Sequence, residues 1–233
     1  MKKNRTDVVS DLTQYYKEKG IVPNNFTCKK CNLSKENFKQ GAQCHIGNNY
    51  GNGVMRTLVV SLDCGGKSVV DDIDKVTAAV EGWTQAKNPQ NIHRIRTNSM
   101  VADLLGIKVA DDNGKYYATT NACKCCRSKS MNQMNEKYFK NCAEYKLEEI
   151  VKLDPDVVYF QGNRARIGVT FKKVETCPKE LSDYIRHLTI NDKKYWSVIC
   201  IHPSARGSHS ERAKEFYTNI IPKINAYIRS VQN

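Results

Sequence analysis

The chain has 233 residues, long enough for one sizeable core, and 40% of them are hydrophobic, an ordinary share for a globular protein. No apolar run approaches the ~20 residues that cross a membrane, and the basic start "MKKNRTDVVSDLTQYYKEKG" lacks the apolar stretch and cleavage site of a secretion signal. An intracellular, cytoplasmic protein with no membrane partner is expected, and its formal net charge of +13 points to an anionic partner, nucleic acid above all.

In chain order, 6–19 reads as a helix with Val8, Val9, Leu12, Tyr15 and Tyr16 on one face, closed by Gly20 and Pro23. "MRTLVVSLD" (55–63) is a β-branched apolar run cut off by Gly65-Gly66, a buried strand. Residues 67–98 carry no clear period. "NSMVADLLG" gives a short helix stopped by Gly106, and "KYYATTNA" a second strand. A longer helix covers about 134–152 and ends at Asp154-Pro155, before the strand "DVVYFQG". Residues 163–194 read as irregular, 195–201 as a strand, and 210–229 as a final helix with Ala213, Phe216, Tyr217, Ile220, Ile224 and Tyr227 inward.

Strands alternate with helices, and each strand is a short apolar run rather than an alternating one. That pattern predicts an α/β fold, a three-layer α/β/α sandwich around a mostly parallel sheet, in a single domain over 1–233. Residues 1–50 supply an N-terminal helix and a cysteine segment, and 51–233 the sheet core. Ligands of such sheets gather where the strands end. Here the ends read Asp63-Cys64-Gly65, Asn121, Gln161-Gly162 and His202-Pro203. Pro203 cannot donate to a ladder, so the last strand stops there and leaves His202 at its tip.

Ten cysteines in a reducing compartment point to metal or redox chemistry rather than disulfides. Cys28-x-x-Cys31 can join a second group at Cys123, Cys125 and Cys126 and a further partner at Cys142. Four thiolates drawn together in this way suit zinc or a [4Fe–4S] cluster, and spacing alone does not choose.

The order of these features resembles the uracil-DNA glycosylase superfamily, most of all its iron–sulfur branch, family 4. That branch reads Thr-Asn-x-x-Lys-Cys-Arg, a Cys about sixteen residues later, then Lys-Pro-x-Val. This chain has Thr120-Asn121-Ala122-Cys123-Lys124-Cys125, then Cys142, then Asp154-Pro155-Asp156-Val157, and finally "HPSA". The likeness spans roughly 24–228 and is poor over 67–98 and 163–194. It implies a uracil-DNA glycosylase-like fold and a [4Fe–4S] cluster on Cys28, Cys31, Cys142 and Cys125, or Cys126 if the sixteen-residue spacing decides. It also implies a monomer that acts on DNA.

The resemblance further implies a role for each strand-end residue. Asp63 would orient water and balance an oxocarbenium-like sugar. Asn121 would read the edge of a flipped base, and His202 would stabilise charge on the departing base. Ser204 would meet a phosphate, and Arg206 would enter the emptied base stack. The first motif departs from the family: Leu62 replaces the family 4 Glu, and Gly65-Gly66 removes the bulk with which uracil-specific enzymes exclude C5 substituents. The aromatic that stacks on uracil has no counterpart; Trp83, His93, Arg94 and Arg96 stand in its region without an assigned place. The expected activity is therefore hydrolytic excision of uracil or a modified pyrimidine, a phage-type cytosine among the candidates, in DNA repair or antiviral defence. A non-catalytic iron–sulfur DNA-binding member is the alternative.

Overall fold

The structure, a computed structural model, describes residues 2–22, 27–31, 38–41, 43–62, 72–83, 85, 87–108, 113–127 and 136–232, with the backbone alone for 38–41, 113 and 125–127. Helix α1 (Arg5–Glu18) starts at Asn4, whose side chain accepts the Asp7 N–H. Val8, Leu12, Tyr15 and Tyr16 are buried, as their spacing predicts. Strands β1 (Phe38–Gly41), β2 (His45–Ile46) and β3 (Thr57–Ser61) follow.

The described part of 67–98, without an assignment from sequence, holds α2 (Ile73–Glu81) and the first turns of α3 (Ile92–Leu105). Asn91 caps α3 by accepting the Arg94 N–H, which places the helix start well before "NSMVADLLG". The apolar pattern hides this because α3 buries polar side chains. Asn98 Oδ1 accepts from Tyr117 Oη at 2.7 Å, and Thr97 Oγ1 accepts from Gln161 Nε2 at 2.8 Å.

Strand β4 (Ala118–Asn121) begins later than "KYYATTNA" suggests, after a 3-10 turn at Asn113–Tyr116. Strand β5 (Cys125–Arg127) pairs antiparallel with β1 in a small separate sheet. The helix expected over 134–152 is two, α4 (Glu136–Asn141) and α5 (Ala143–Leu153), divided at Cys142. After β6 (Val157–Gln161), the segment read as irregular contains β7 (Phe171–Lys173) and β8 (Ile185–Ile190). The last strand, β9 (Lys193–Cys200), turns back on β8 through Asn191-Asp192, both at positive φ (48° and 63°). Asn and Asp are the non-glycine residues that best tolerate such a two-residue hairpin turn. Helix α6 (His209–Glu215) then passes through a π turn (Phe216–Ile220) into α7 (Ile221–Gln232).

The main sheet has the order β2-β4-β3-β6-β9-β8-β7. Its four central strands, β4, β3, β6 and β9, run parallel, β2 is antiparallel to β4 on one side, and on the other β8 is antiparallel to β9 and β7 to β8. Helices cover both faces. Leu58, Val60, Val158 and Phe160 pack with α1 and α5 residues such as Leu12, Tyr16 and Ile150. Val59, Val157, Tyr159 and Val198 pack with Met100, Leu104, Ile224 and Ile228 of α3 and α7. Of the helices that follow β3 and β4, α3 lies on one face and α5 on the other, the arrangement in which open α/β sheets place ligands at the carboxyl ends of the strands.

Candidate active site at the carboxyl edge of the sheet

The parallel strands end together. Ser61 is in register with Asn121, and Gln161 with Cys200. Past the ladder, Ala122 N–H donates to Ser61 O (2.8 Å) and Cys123 N–H to Leu62 O (3.0 Å), so the segment leading to Asp63 leaves beside the one leading to the cysteines. Asp63 lies outside the described residues, as do Cys64, Gly65 and Gly66.

Gln161 crosses the edge as a buried bridge. Its Oε1 accepts from Ser61 Oγ at 3.0 Å, its Nε2 donates to Thr97 Oγ1, and Thr97 Oγ1 donates to His93 O at 2.8 Å. Gly162 follows at φ 94° and ψ 159°, a conformation that side chains rarely adopt. A Cβ there would stand 3.3 Å from His202 Cβ and 3.7 Å from Leu62 Cδ2. The glycine thus lets His202 close on the ends of β3 and β6.

His202 Nδ1 accepts the Ser204 N–H at 3.2 Å, and His202 O accepts the Ala205 N–H at 3.0 Å. A neutral ring held in this way carries its proton on Nε2, which makes it a hydrogen-bond donor. His93, without an assigned place in the sequence reading, packs against it: the ring centroids are 5.4 Å apart and tilted by 50°. Burial pushes the His93 pKa down to about 4, with the neighbouring His202 and Arg94 acting in the same direction. Arg96 Nη1 donates to Pro203 O. Of the residues singled out from sequence, Asn121, His202, Ser204 and Arg206 stand on this one edge; Arg206 is exposed, and Asn121 and Ser204 are half-buried. Asn121 and His202 end strands three spacings apart, ~14 Å across the sheet. Gln161, His93 and Arg96 were not singled out as site residues; the strand-end position of Gln161 was the signal available for it.

The described segments at the carboxyl edge, 87–98, 121–127, 161–174 and 201–210, contain no Asp or Glu, yet carry Arg94, Arg96, Arg164, Arg166 and Arg206 among their cations. At the opposite end, a cleft of about 470 Å³ holds lysines that are paired with acids: Lys3 with Asp11, Lys193 with Asp154, and Lys152 with Glu148.

Beneath Asn121 lies a buried charge network. Lys124 pairs with Glu149 at 2.6 Å, their side chains 1% and 0% exposed. Glu149 also accepts from Thr120 Oγ1 (2.6 Å) and from Tyr16 Oη, and Lys124 Nζ donates to Thr120 Oγ1. Lys146, fully buried, donates to Ala165 O and Ile167 O at 2.8 Å each and so fixes the turn after Gly162. Burial pulls its pKa down to about 7, with nearby Lys124 adding to the effect.

The cysteine segment docks on the α4–α5 junction. Asn141 Nδ2 donates to Lys30 O (2.9 Å) and Cys31 Sγ (3.3 Å), Cys28 Sγ is 3.1 Å from Tyr145 Oη, and Lys124 N–H donates to Cys142 Sγ at 3.5 Å. Burial raises the pKa of the Cys31 thiol, the Asn141 hydrogen bond opposes the rise, and Cys142 and Cys28 add to it. Among the described residues no group of three Cys, His, Asp or Glu side chains forms a metal site. The side chains of Cys125 and Cys126 are outside that description; their backbone lies in β5, next along the chain from Lys124. Two of the sulfurs, Cys31 and Cys142, thus receive N–H donors where two distant segments meet.

No protein-family model matches the chain, and a search of curated proteins finds no match either. Among the described residues no helix is long and apolar enough to cross a membrane.

Proposed function

We propose that the chain is a monofunctional DNA glycosylase, folded as a uracil-DNA glycosylase-like sandwich, that flips out uracil or a modified pyrimidine and hydrolyses its N-glycosidic bond. The observation that carries this reading is the placement of Asn121 and His202 at the same arginine-bearing edge, on either side of the β3 and β6 ends, of which β3 leads to Asp63. The Asn121 carboxamide offers a donor and an acceptor to a base edge. His202, its Nδ1 already engaged, presents the Nε2 proton to the base oxygen, where negative charge gathers as the C1′–N bond breaks. Asp63 orients the water whose oxygen joins C1′ and offsets the positive charge that develops on the sugar. The products are the free base and an abasic site. Ser204 and Arg206 meet the DNA backbone and the vacated stack.

In this reading a [4Fe–4S] cluster is held by Cys28, Cys31, Cys142 and Cys125 or Cys126. It fastens the N-terminal segment to the sheet and takes no part in the chemistry. The protein acts as a monomer within the cytoplasm.

The test is an alkali-cleavage assay on end-labelled DNA carrying uracil, hypoxanthine, or glucosylated or other modified cytosines. The wild type should give cleavage at one of these bases, and His202→Gln should lower the rate by about 10²-fold, as expected for loss of a donor to a developing anion. Salt-sensitive DNA binding with no cleavage at any base would favour the non-catalytic alternative.

A further inference from the structure

We propose that Tyr217 and Arg96 are positioning residues for His202, and that the π turn at Phe216–Ile220 is the device that brings Tyr217 to its place. The inference rests on the reading of His202 as the group that meets the departing base.

A loop that presents one imidazole must be held on both sides of it, because its own short-range bonds do not fix its height above the sheet. Ser204 N–H to His202 Nδ1 and Ala205 N–H to His202 O are both local bonds within the loop. Two long-range bonds hold its flanks. Tyr217 Oη donates to Ile201 O at 2.8 Å, immediately before His202, and Arg96 Nη1 donates to Pro203 O, immediately after it. The two anchors also support each other, since the Arg96 guanidinium lies 5.9 Å from the centroid of the Tyr217 ring. One comes from α3 and the other from the C-terminal helix, so the loop is clamped between elements that pack together through Met100, Leu104, Ile221 and Ile224.

The π turn explains how Tyr217 reaches the loop. Ile221 N–H bonds back to Phe216 O, five residues away instead of four. The next residue, Pro222, has no N–H and its ring would press on the preceding turn of a regular helix. The wider turn absorbs that conflict and rotates the residues before it by one extra position. Such single π turns recur where a side chain is aimed at a functional site.

The test uses Tyr217→Phe, which removes one oxygen, and Arg96→Lys, which keeps the charge but loses the fork. The first readout is the tautomer of His202 in protein labelled with 15N-histidine, its signals identified by their loss in His202→Gln. The wild type should show Nδ1 bare and Nε2 protonated, and each variant should show a mixture of the two tautomers. The second readout is single-turnover base excision, expected to fall about tenfold with unchanged DNA affinity, the scale of a small misplacement of a reacting group. A wild-type tautomer retained in both variants would overturn the clamp. So would a shifted tautomer with the wild-type excision rate. Failure of the wild type to excise any base would contradict the glycosylase reading instead, and the tautomer measurement would still decide whether the clamp exists.

Discussion

The imidazoles of His93 and His202 stand 5.4 Å apart, one from helix α3 and one from the tip of β9. Two rings this close cannot both carry charge without cost, and burial already keeps His93 neutral, its pKa near 4. The pair therefore enters the physiological range with His93 uncharged.

This pairing has a pH consequence. Unfolded, His93 titrates near its ordinary 6.5; folded, it titrates near 4. Between these values the unfolded chain binds a proton that the native chain does not, so stability falls as pH drops from 6.5 to 4. The difference is on the order of 3 kcal/mol at full effect, at about 1.4 kcal/mol per pKa unit. Urea midpoints at pH 7 and pH 4.5 should separate in the wild type. The separation should shrink in His93→Gln, where buried His45, its pKa near 3, still supplies a share.

Gly162→Ala should affect the site more than its single methyl suggests. The backbone there has φ 94°, and the added Cβ meets His202 Cβ at 3.3 Å. A cost of about 1–3 kcal/mol follows from the conformation, lowering the melting temperature by several degrees. Base excision should fall further than stability, because the clash pushes on His202 itself. A variant that melts early but excises at the wild-type rate would separate Gly162 from the site.

The buried Lys124–Glu149 pair predicts strong non-additivity. Lys124→Met strands a carboxylate that is 0% exposed, and Glu149→Leu strands an ammonium that is 1% exposed. Each single change should cost about 3–5 kcal/mol, and the double variant less than the sum of the two. Denaturation of the three variants measures the coupling. Additive losses would mean that the network does not act as one unit.

Much of this architecture was legible in the sequence, and the misses have physical causes. The apolar runs of β3, β6 and β9 declared a sheet covered on both faces, and Pro203 marked where His202 must stand. Helix α3 was half hidden because Thr97 and Asn98 are buried through hydrogen bonds to Gln161 and Tyr117, which leave no apolar period to read. The β8–β9 hairpin was missed although Asn191-Asp192 is a turn signal, because the positive φ shared by both residues is a property of the backbone. Gln161, His93 and Arg96 come to the site from separate elements and share no sequence motif. The break at Cys142 escaped notice because helical spacing continues across it from Phe139 to Ile150.

The cysteine junction makes its own prediction. Cys31→Ser in protein purified without oxygen should lose the broad visible absorbance and the iron of a [4Fe–4S] cluster, and with them the docking of the 27–31 segment on Asn141. Stoichiometric zinc without iron in the wild type would replace the cluster with a structural zinc site.

The most direct test of the account is release of a free base. Wild-type protein and Asp63→Asn would be incubated with DNA containing uracil or modified cytosines, and the supernatant analysed by mass spectrometry. The account predicts one free base released by the wild type with the strands intact, and release at least 10²-fold slower in Asp63→Asn with DNA binding retained, on the scale of losing a group that stabilises the transition state. No free base from any substrate, or equal release by both proteins, would contradict it.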